Sequence, residues 1–241
     1  MLSEPIRGES GFTTRAAAVR VPATDGSGRG GVPLSTRLPD AYFDQLYAAA
    51  EDPWQLATRW YEQRKYAITL ALLPNLRYRH AFEPGCSIAT LTAQLALRCD
   101  RVTAVDVVDA AVRSADARLQ GAGCRDRVTL ARSSLDAAWP PGPFDLVVLS
   151  EVAYYLEAET LAEVLRRECA RLPAGANVVA AHWRHEVADY PLTGDQAHAV
   201  IVKTPGLTSM GCYRDRDVVI EVFVTGDGRS VAQREEVPGA G

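Results

Sequence analysis

The stretch at residues 81–106, AFEPGCSIATLTAQLALRCDRVTAVD, constrains the fold more than any other part of the chain. A short apolar entry ends in Glu83-Pro84-Gly85-Cys86-Ser87. A helical pattern follows with Ile88, Leu91 and Leu95 on one face, and a second apolar run closes on Asp106. Strand, tight turn, helix and strand in that order make a βαβ unit, whose turn brings backbone N–H groups and a helix N-terminus up to a ligand. The carboxylate ending the second strand stands where a ribose diol can be gripped.

The alternation continues downstream. Strands are expected at 80–83, 101–105, 127–131, 144–149 and 177–182, with helices at 87–97, 109–120, 157–172 and around 194–203. Asp109 is expected to cap its helix and Gly121 to end it. The near-continuous apolar run FDLVVL suits a central parallel strand covered on both faces. Segments 207–213 and 217–224 read as a hairpin turned at Arg214-Asp215-Arg216. The pattern predicts an α/β fold: a doubly wound, Rossmann-like seven-stranded sheet with an antiparallel C-terminal hairpin.

Upstream, residues 38–47 read as an amphipathic helix capped by Asp40. A longer helix is expected from Glu51-Asp52-Pro53-Trp54 to Leu73-Pro74, with Leu56, Trp60, Ala67, Leu70 and Leu73 inward. The expected organisation is a flexible tail at 1–37, helices at 38–74 capping the site, a main domain at 75–226 and a second tail at 227–241.

Net charge is −4, and basic residues cluster no further than pairs such as Arg64-Lys65 and Arg166-Arg167, which argues against nucleic acid as the partner. No apolar run approaches the ~18–20 residues that span a bilayer, and the N-terminus lacks the layout of a secretory signal. Five scattered cysteines without a C-x-x-C pair read as small buried hydrophobes in a reducing cytoplasm. The expectation is a cytoplasmic protein without a membrane partner.

The glycine pattern narrows the ligand. A dinucleotide site wants G-x-G-x-x-G, and the turn here reads Gly85-Cys86-Ser87-Ile88-Ala89-Thr90. A nicotinamide dehydrogenase is therefore disfavoured, and no G-x-x-x-x-G-K-[ST] element provides a P-loop. What the chain has instead is Glu83 two residues before the glycine, Asp106 ending the next strand, and a later strand opening with Phe144-Asp145.

Glu83-x-Gly85, Val105-Asp106, Phe144-Asp145-Leu146-Val147-Val148 and Leu172-Pro173-Ala174-Gly175 together resemble the successive motifs of class I S-adenosylmethionine-dependent methyltransferases, over about residues 80–182. Asp52-Pro53-Trp54, Tyr61-Glu62, Lys65-Tyr66 and Ser150-Glu151-Val152-x-Tyr154-Tyr155 are similar to the NodS-like branch. The founding members of that branch N-methylate the free amine of a deacetylated chitooligosaccharide. The family's usual glycines after Gly85 are Ser87 and Ala89 here.

The resemblance implies S-adenosylmethionine as cofactor. It carries a ribose diol, an adenine, an amino-acid head and a sulfonium but no phosphate, so a glycine-rich cradle is less necessary. Asp106 would accept both ribose hydroxyls, and Gly85, with Cys86 and Ser87, would pass under the methionine portion. Glu83 would meet the cofactor's amino group. Val107, Leu135 and Ser134 would surround the adenine, and Ser150 would complete the floor. Trp54, Tyr61, Arg64 and Lys65 on the upstream helix would close over the cofactor and meet its carboxylate, or else pack the helix onto the domain.

The acceptor side lies beyond the strand ends, where open α/β sheets bind ligands. Glu151, His182 and His185 are candidates for acceptor binding or proton removal, and Tyr154, Tyr155, Trp183 and Tyr190 for contact with a sugar face. A metal role for the i, i+3 histidines lacks supporting ligands. The expected activity is N-methylation of a small-molecule amine, plausibly an amino sugar. O-methylation of a secondary metabolite and a non-catalytic cofactor-binding module are the alternatives.

Overall fold

The computed structural model describes residues 36–226 and 228–241. The tail expected at 1–37 lies almost wholly outside the described residues. Helices α1 (Asp40–Ala49) and α2 (Trp60–Leu72) precede β1 (Tyr78–Pro84), α3 (Thr90–Arg98), β2 (Cys99–Asp106), α4 (Asp109–Gly121) and β3 (Val128–Arg132). Then come β4 (Leu146–Ser150), α5 (Ala158–Cys169), β5 (Asn177–Trp183), α6 (Gly194–Ile201), β6 (Leu207–Arg214), β7 (Val218–Thr225) and the short α7 (Val231–Arg234).

The strands form one seven-stranded sheet in the order β3-β2-β1-β4-β5-β7-β6. The first five are parallel, and β7 runs antiparallel between β5 and β6. This is the class I methyltransferase architecture. Alternation along β4 explains its unbroken apolar run: Leu146 and Val148 join the core on one face, Val147 and Leu149 the core on the other. The strand order reverses between β1 and β4, and a crevice opens at such a switch point beyond the carboxyl ends of the strands.

Several local expectations are corrected. The helix expected from Trp54 begins at Trp60 instead, because the Asp52 carboxylate accepts the N–H groups of Leu56 (2.8 Å) and Ala57 (3.0 Å) and Gln55 turns left-handed. The face of α2 is also rotated. Trp60 is 72% exposed, whereas Glu62, Lys65, Tyr66 and Thr69 are buried. Asp40 and Asp109 each open a helix without capping it and pair with Arg37 and Arg132 respectively. Cys212 is exposed, unlike the other four cysteines. Among the described residues, no helix is long and apolar enough to cross a membrane.

Candidate active site

The turn after β1 is held by the strand beside it. The N–H groups of Gly85 and Cys86 both donate to the Val105 carbonyl, at 2.7 and 3.0 Å. Gly85 has φ +73°, and a Cβ there would meet Val152 Cγ2 at 3.0 Å, so both conformation and space require glycine. Ser87 and Ala89 are also left-handed, at φ 51° and 60°, a conformation that costs about 1–2 kcal/mol for a residue with a Cβ. Surrounding contacts hold Ser87 there. Its N–H donates to Asp106 Oδ2 (2.9 Å), and its hydroxyl lies 2.5 Å from that of Tyr47.

Two carboxylates flank this turn. Asp106 also accepts the Val108 N–H on Oδ1 (3.0 Å). Burial raises its pKa, and the backbone N–H groups of Val108 and Ser87 partly offset that. Each oxygen keeps a lone pair for a further donor, so Asp106 can receive a vicinal diol. Glu83 is 3% exposed, and its Oε2 is buried without a hydrogen-bond partner. Burial, partly offset by the Thr92 hydroxyl and reinforced by the charge of Asp106, pushes its pKa up to about 8. A buried carboxyl group with one unpartnered oxygen on a cavity wall can take a cationic donor.

The opposite wall is assembled from distant elements. Glu151, left-handed at φ 55° after β4, accepts from Lys65 Nζ (2.7 Å) on Oε1, and from the Tyr154 hydroxyl (2.5 Å) and Trp183 N–H (2.9 Å) on Oε2. Lys65, 1% exposed, also pairs with Glu62 at 2.6 Å and lies over the Tyr61 and Tyr66 rings. Burial alone would lower the Lys65 pKa, but Glu151 and Glu62 raise it beyond its ordinary value.

Both walls line one cavity of about 550 Å³. Of the cofactor candidates, Trp54, Tyr61, Lys65, Glu83, Gly85, Cys86, Ser87, Asp106, Val107, Ser134, Leu135 and Ser150 border it. So do Glu151 and all four aromatic substrate candidates, with Tyr154, Tyr155 and Tyr190 in mutual ring contact and Trp183 edge-on to Tyr61 at 5.2 Å.

Three candidates are not brought there. Arg64 turns to the hairpin, bonding Asp215 (2.8 Å) and the Tyr213 hydroxyl. His185 is not on the cavity lining but pairs with Asp217, which is. His182 is fully buried behind the wall, where it accepts the Ala153 N–H at 3.1 Å. Neither histidine borders the cavity directly. Tyr47 and Asp217 border the cavity without having been singled out, and Glu62, part of the Tyr61-Glu62 motif, was given no role. The helical pattern around Tyr47 was a signal for the first, and nothing local marks Asp217, which arrives on the hairpin. Acidic side chains on the lining (Glu62, Glu83, Asp106, Asp136, Glu151, Asp217) outnumber Arg37, Arg59 and Lys65, so the cavity favours cations. Among the described residues, no group of three or more His, Cys, Asp or Glu side chains could hold a metal ion.

The model of the family "Nodulation protein S (NodS)" matches residues 43–200. Nodulation protein S of Sinorhizobium fredii NGR234 is 34% identical over 110 residues, 45% of this chain and 50% of the relative. The chain therefore spans about half the length of that curated relative. A solved structure from Pseudomonas syringae, provisionally described as a methyltransferase, is 34% identical and covers 69% of this chain and 99% of its own, with a TM-score of 0.58. N-methyltransferase NodS from Bradyrhizobium japonicum WM9, solved with S-adenosyl-L-homocysteine, shares the fold with a TM-score of 0.67 at 21% identity, covering 78% of this chain and 99% of its own. With a matching family model over most of its described length, the chain belongs to the NodS family.

Proposed function

We propose that this chain is an S-adenosylmethionine-dependent N-methyltransferase acting on an amino group of an amino sugar or amino-sugar-containing small molecule. Family membership supports the reaction class, and the observation that carries the cofactor is the unpaired Glu83 carboxylate across the Gly85–Ser87 turn from Asp106. A ligand with an ammonium and a vicinal diol but no phosphate suits that pair, and the left-handed turn brings backbone between them. Residues 38–74 form the cap and 75–226 the catalytic body.

Bound S-adenosylmethionine supplies an electrophilic methyl group for in-line displacement. The chain's own part is to align the acceptor and to exclude water. Tyr61, Trp183 and the three-tyrosine cluster offer flat apolar faces to a sugar ring. The acidic lining draws in an ammonium, whose proton leaves to solvent or to a lining carboxylate before the amine attacks. Glu151 already accepts three donors, so it orders the wall rather than activating a hydroxyl, which supports an amine over an alcohol acceptor.

The test is transfer of labelled methyl groups to deacetylated chitooligosaccharides and a panel of amines. Incorporation into an amine is expected; none into any amine would refute the acceptor class. By calorimetry, Asp106→Ala should weaken S-adenosylhomocysteine binding about 100-fold, the loss of two hydrogen bonds to a charged group. Unchanged affinity would show that the cofactor site lies elsewhere.

A further inference from the structure

The fully buried His182 belongs to a chain of donors that leads away from the cavity. Its Nε2 accepts the Ala153 N–H at 3.1 Å, its Nδ1 lies 3.1 Å from His198 Nε2, and His198 Nδ1 lies 3.4 Å from Glu221 Oε2. A backbone N–H can only donate, so Nε2 of His182 must carry the lone pair and Nδ1 the proton. That proton points at His198 Nε2, which must then be the acceptor, leaving the His198 proton on Nδ1 facing Glu221. One amide thereby sets both tautomers. Ser209 completes Glu221 with a hydrogen bond of 2.8 Å to its other oxygen.

Ala153 is the first residue of the 3-10 turn Ala153–Tyr155, which carries Tyr154 and Tyr155 into the cavity directly after Glu151. The His182 ring also packs edge-on to Tyr154, with centroids 5.1 Å apart. We propose that His182, set by His198 and Glu221, is a positioning residue that holds the Glu151–Tyr155 wall in register for the acceptor and does so only while both imidazoles are neutral. The inference rests on the assignment of that wall to the acceptor.

The geometry gives the pH direction. A proton added to His182 would have to go on Nε2, setting an N–H against the Ala153 N–H. A proton on His198 Nε2 would face the His182 Nδ1–H. Either breaks a link. The titratable groups facing His182 are Lys65 from α2, Glu151 and Tyr154 from the turn after β4, His198 from α6 and, one step on, Glu221 from β7. Burial, His198 and Lys65 push the His182 pKa well below its ordinary value, so His182 itself stays neutral through neutral pH, and a proton gained by either ring on acidification breaks the chain.

Imidazole nitrogen NMR on the full chain tests the tautomers without any assumption about activity. The expected result is a neutral Nδ1–H form for His182 at neutral pH that persists below the ordinary histidine pKa. An Nε2–H form, or titration near the ordinary value, would overturn the proposal. Kinetics with a deacetylated chitooligosaccharide test the positioning. His182→Leu should raise acceptor KM about tenfold, the loss of a partner for a buried N–H. The affinity for S-adenosylhomocysteine should hold within about twofold, because the Gly85 turn keeps its own contacts. His182→Gln, which offers an oxygen acceptor to Ala153, should recover most of the loss even if the leucine variant does not fold. Equal losses in cofactor affinity and acceptor KM, or no recovery by glutamine, would reduce His182 to general packing. Absence of turnover by the unmodified chain would refute the proposed function, while the NMR result would still decide the tautomer chain.

Discussion

Glu83 and Glu151 are carboxylates on opposite walls of one cavity. Glu83 lies near the end of β1, is sealed by its neighbours and has a buried oxygen with no partner. Glu151 is held at positive φ and receives a lysine, a phenol and a backbone N–H from three different parts of the chain. A buried carboxyl group with an unpartnered oxygen keeps capacity for a ligand, because the desolvation of that oxygen is unrelieved until a donor arrives. A carboxylate with every oxygen engaged has already spent that capacity on joining elements together. The same residue type therefore serves recognition on one wall and construction on the other.

Lys65→Met should have the largest effect, because it leaves the buried Glu62 and the half-buried Glu151 without their shared cation. We expect a stability loss of about 3–5 kcal/mol by denaturant titration, the range for breaking a buried ion pair. A loss under about 1 kcal/mol would mean that Glu151 does not depend on its partners, and the contrast between the walls would collapse.

Glu83→Gln should act on the ligand and on pH dependence more than on the fold. The unfolded chain releases this proton near 4.5, whereas the ligand-free native state keeps it to about 8. The native state thus binds more protons between those values, so this group's stabilising contribution is present at low pH and is lost as pH rises through the window. The glutamine variant should lose that slope and should bind S-adenosylhomocysteine about tenfold more weakly, as expected for one hydrogen bond to a charged group. Calorimetry in buffers of different ionisation enthalpy should show proton release on binding to the unmodified chain and none to the variant. Identical proton release from both would place the cationic head of the ligand elsewhere.

The smallest effect should come from Arg64→Ala. Arg64 bonds Asp215 and Tyr213 at the surface rather than bordering the cavity. Affinity for S-adenosylhomocysteine should stay within about twofold, in keeping with the small worth of exposed ion pairs. A larger change would return Arg64 to the cofactor side.

The unequal legibility of the two walls follows from how each is built. By itself the sequence determined the βαβ unit, the sheet order's parallel core and the cofactor turn, because strand, Gly85 turn, helix and Asp106 are contiguous and each is tied to its neighbour by local backbone hydrogen bonds. Hydrophobic periodicity marked β4 and β5 equally well, since both are buried on two faces. Periodicity misled in part on α2, whose buried face carries Glu62 and Lys65 beside Tyr66 because the Lys65–Glu151 ion pair docks it along with apolar contacts. Only the tertiary structure decided what Glu151, Lys65, His182 and Arg64 do. Each has a partner 29 to 151 residues away in the chain, and a side chain's chemistry depends on which donors the fold brings to it as well as on its neighbours in sequence.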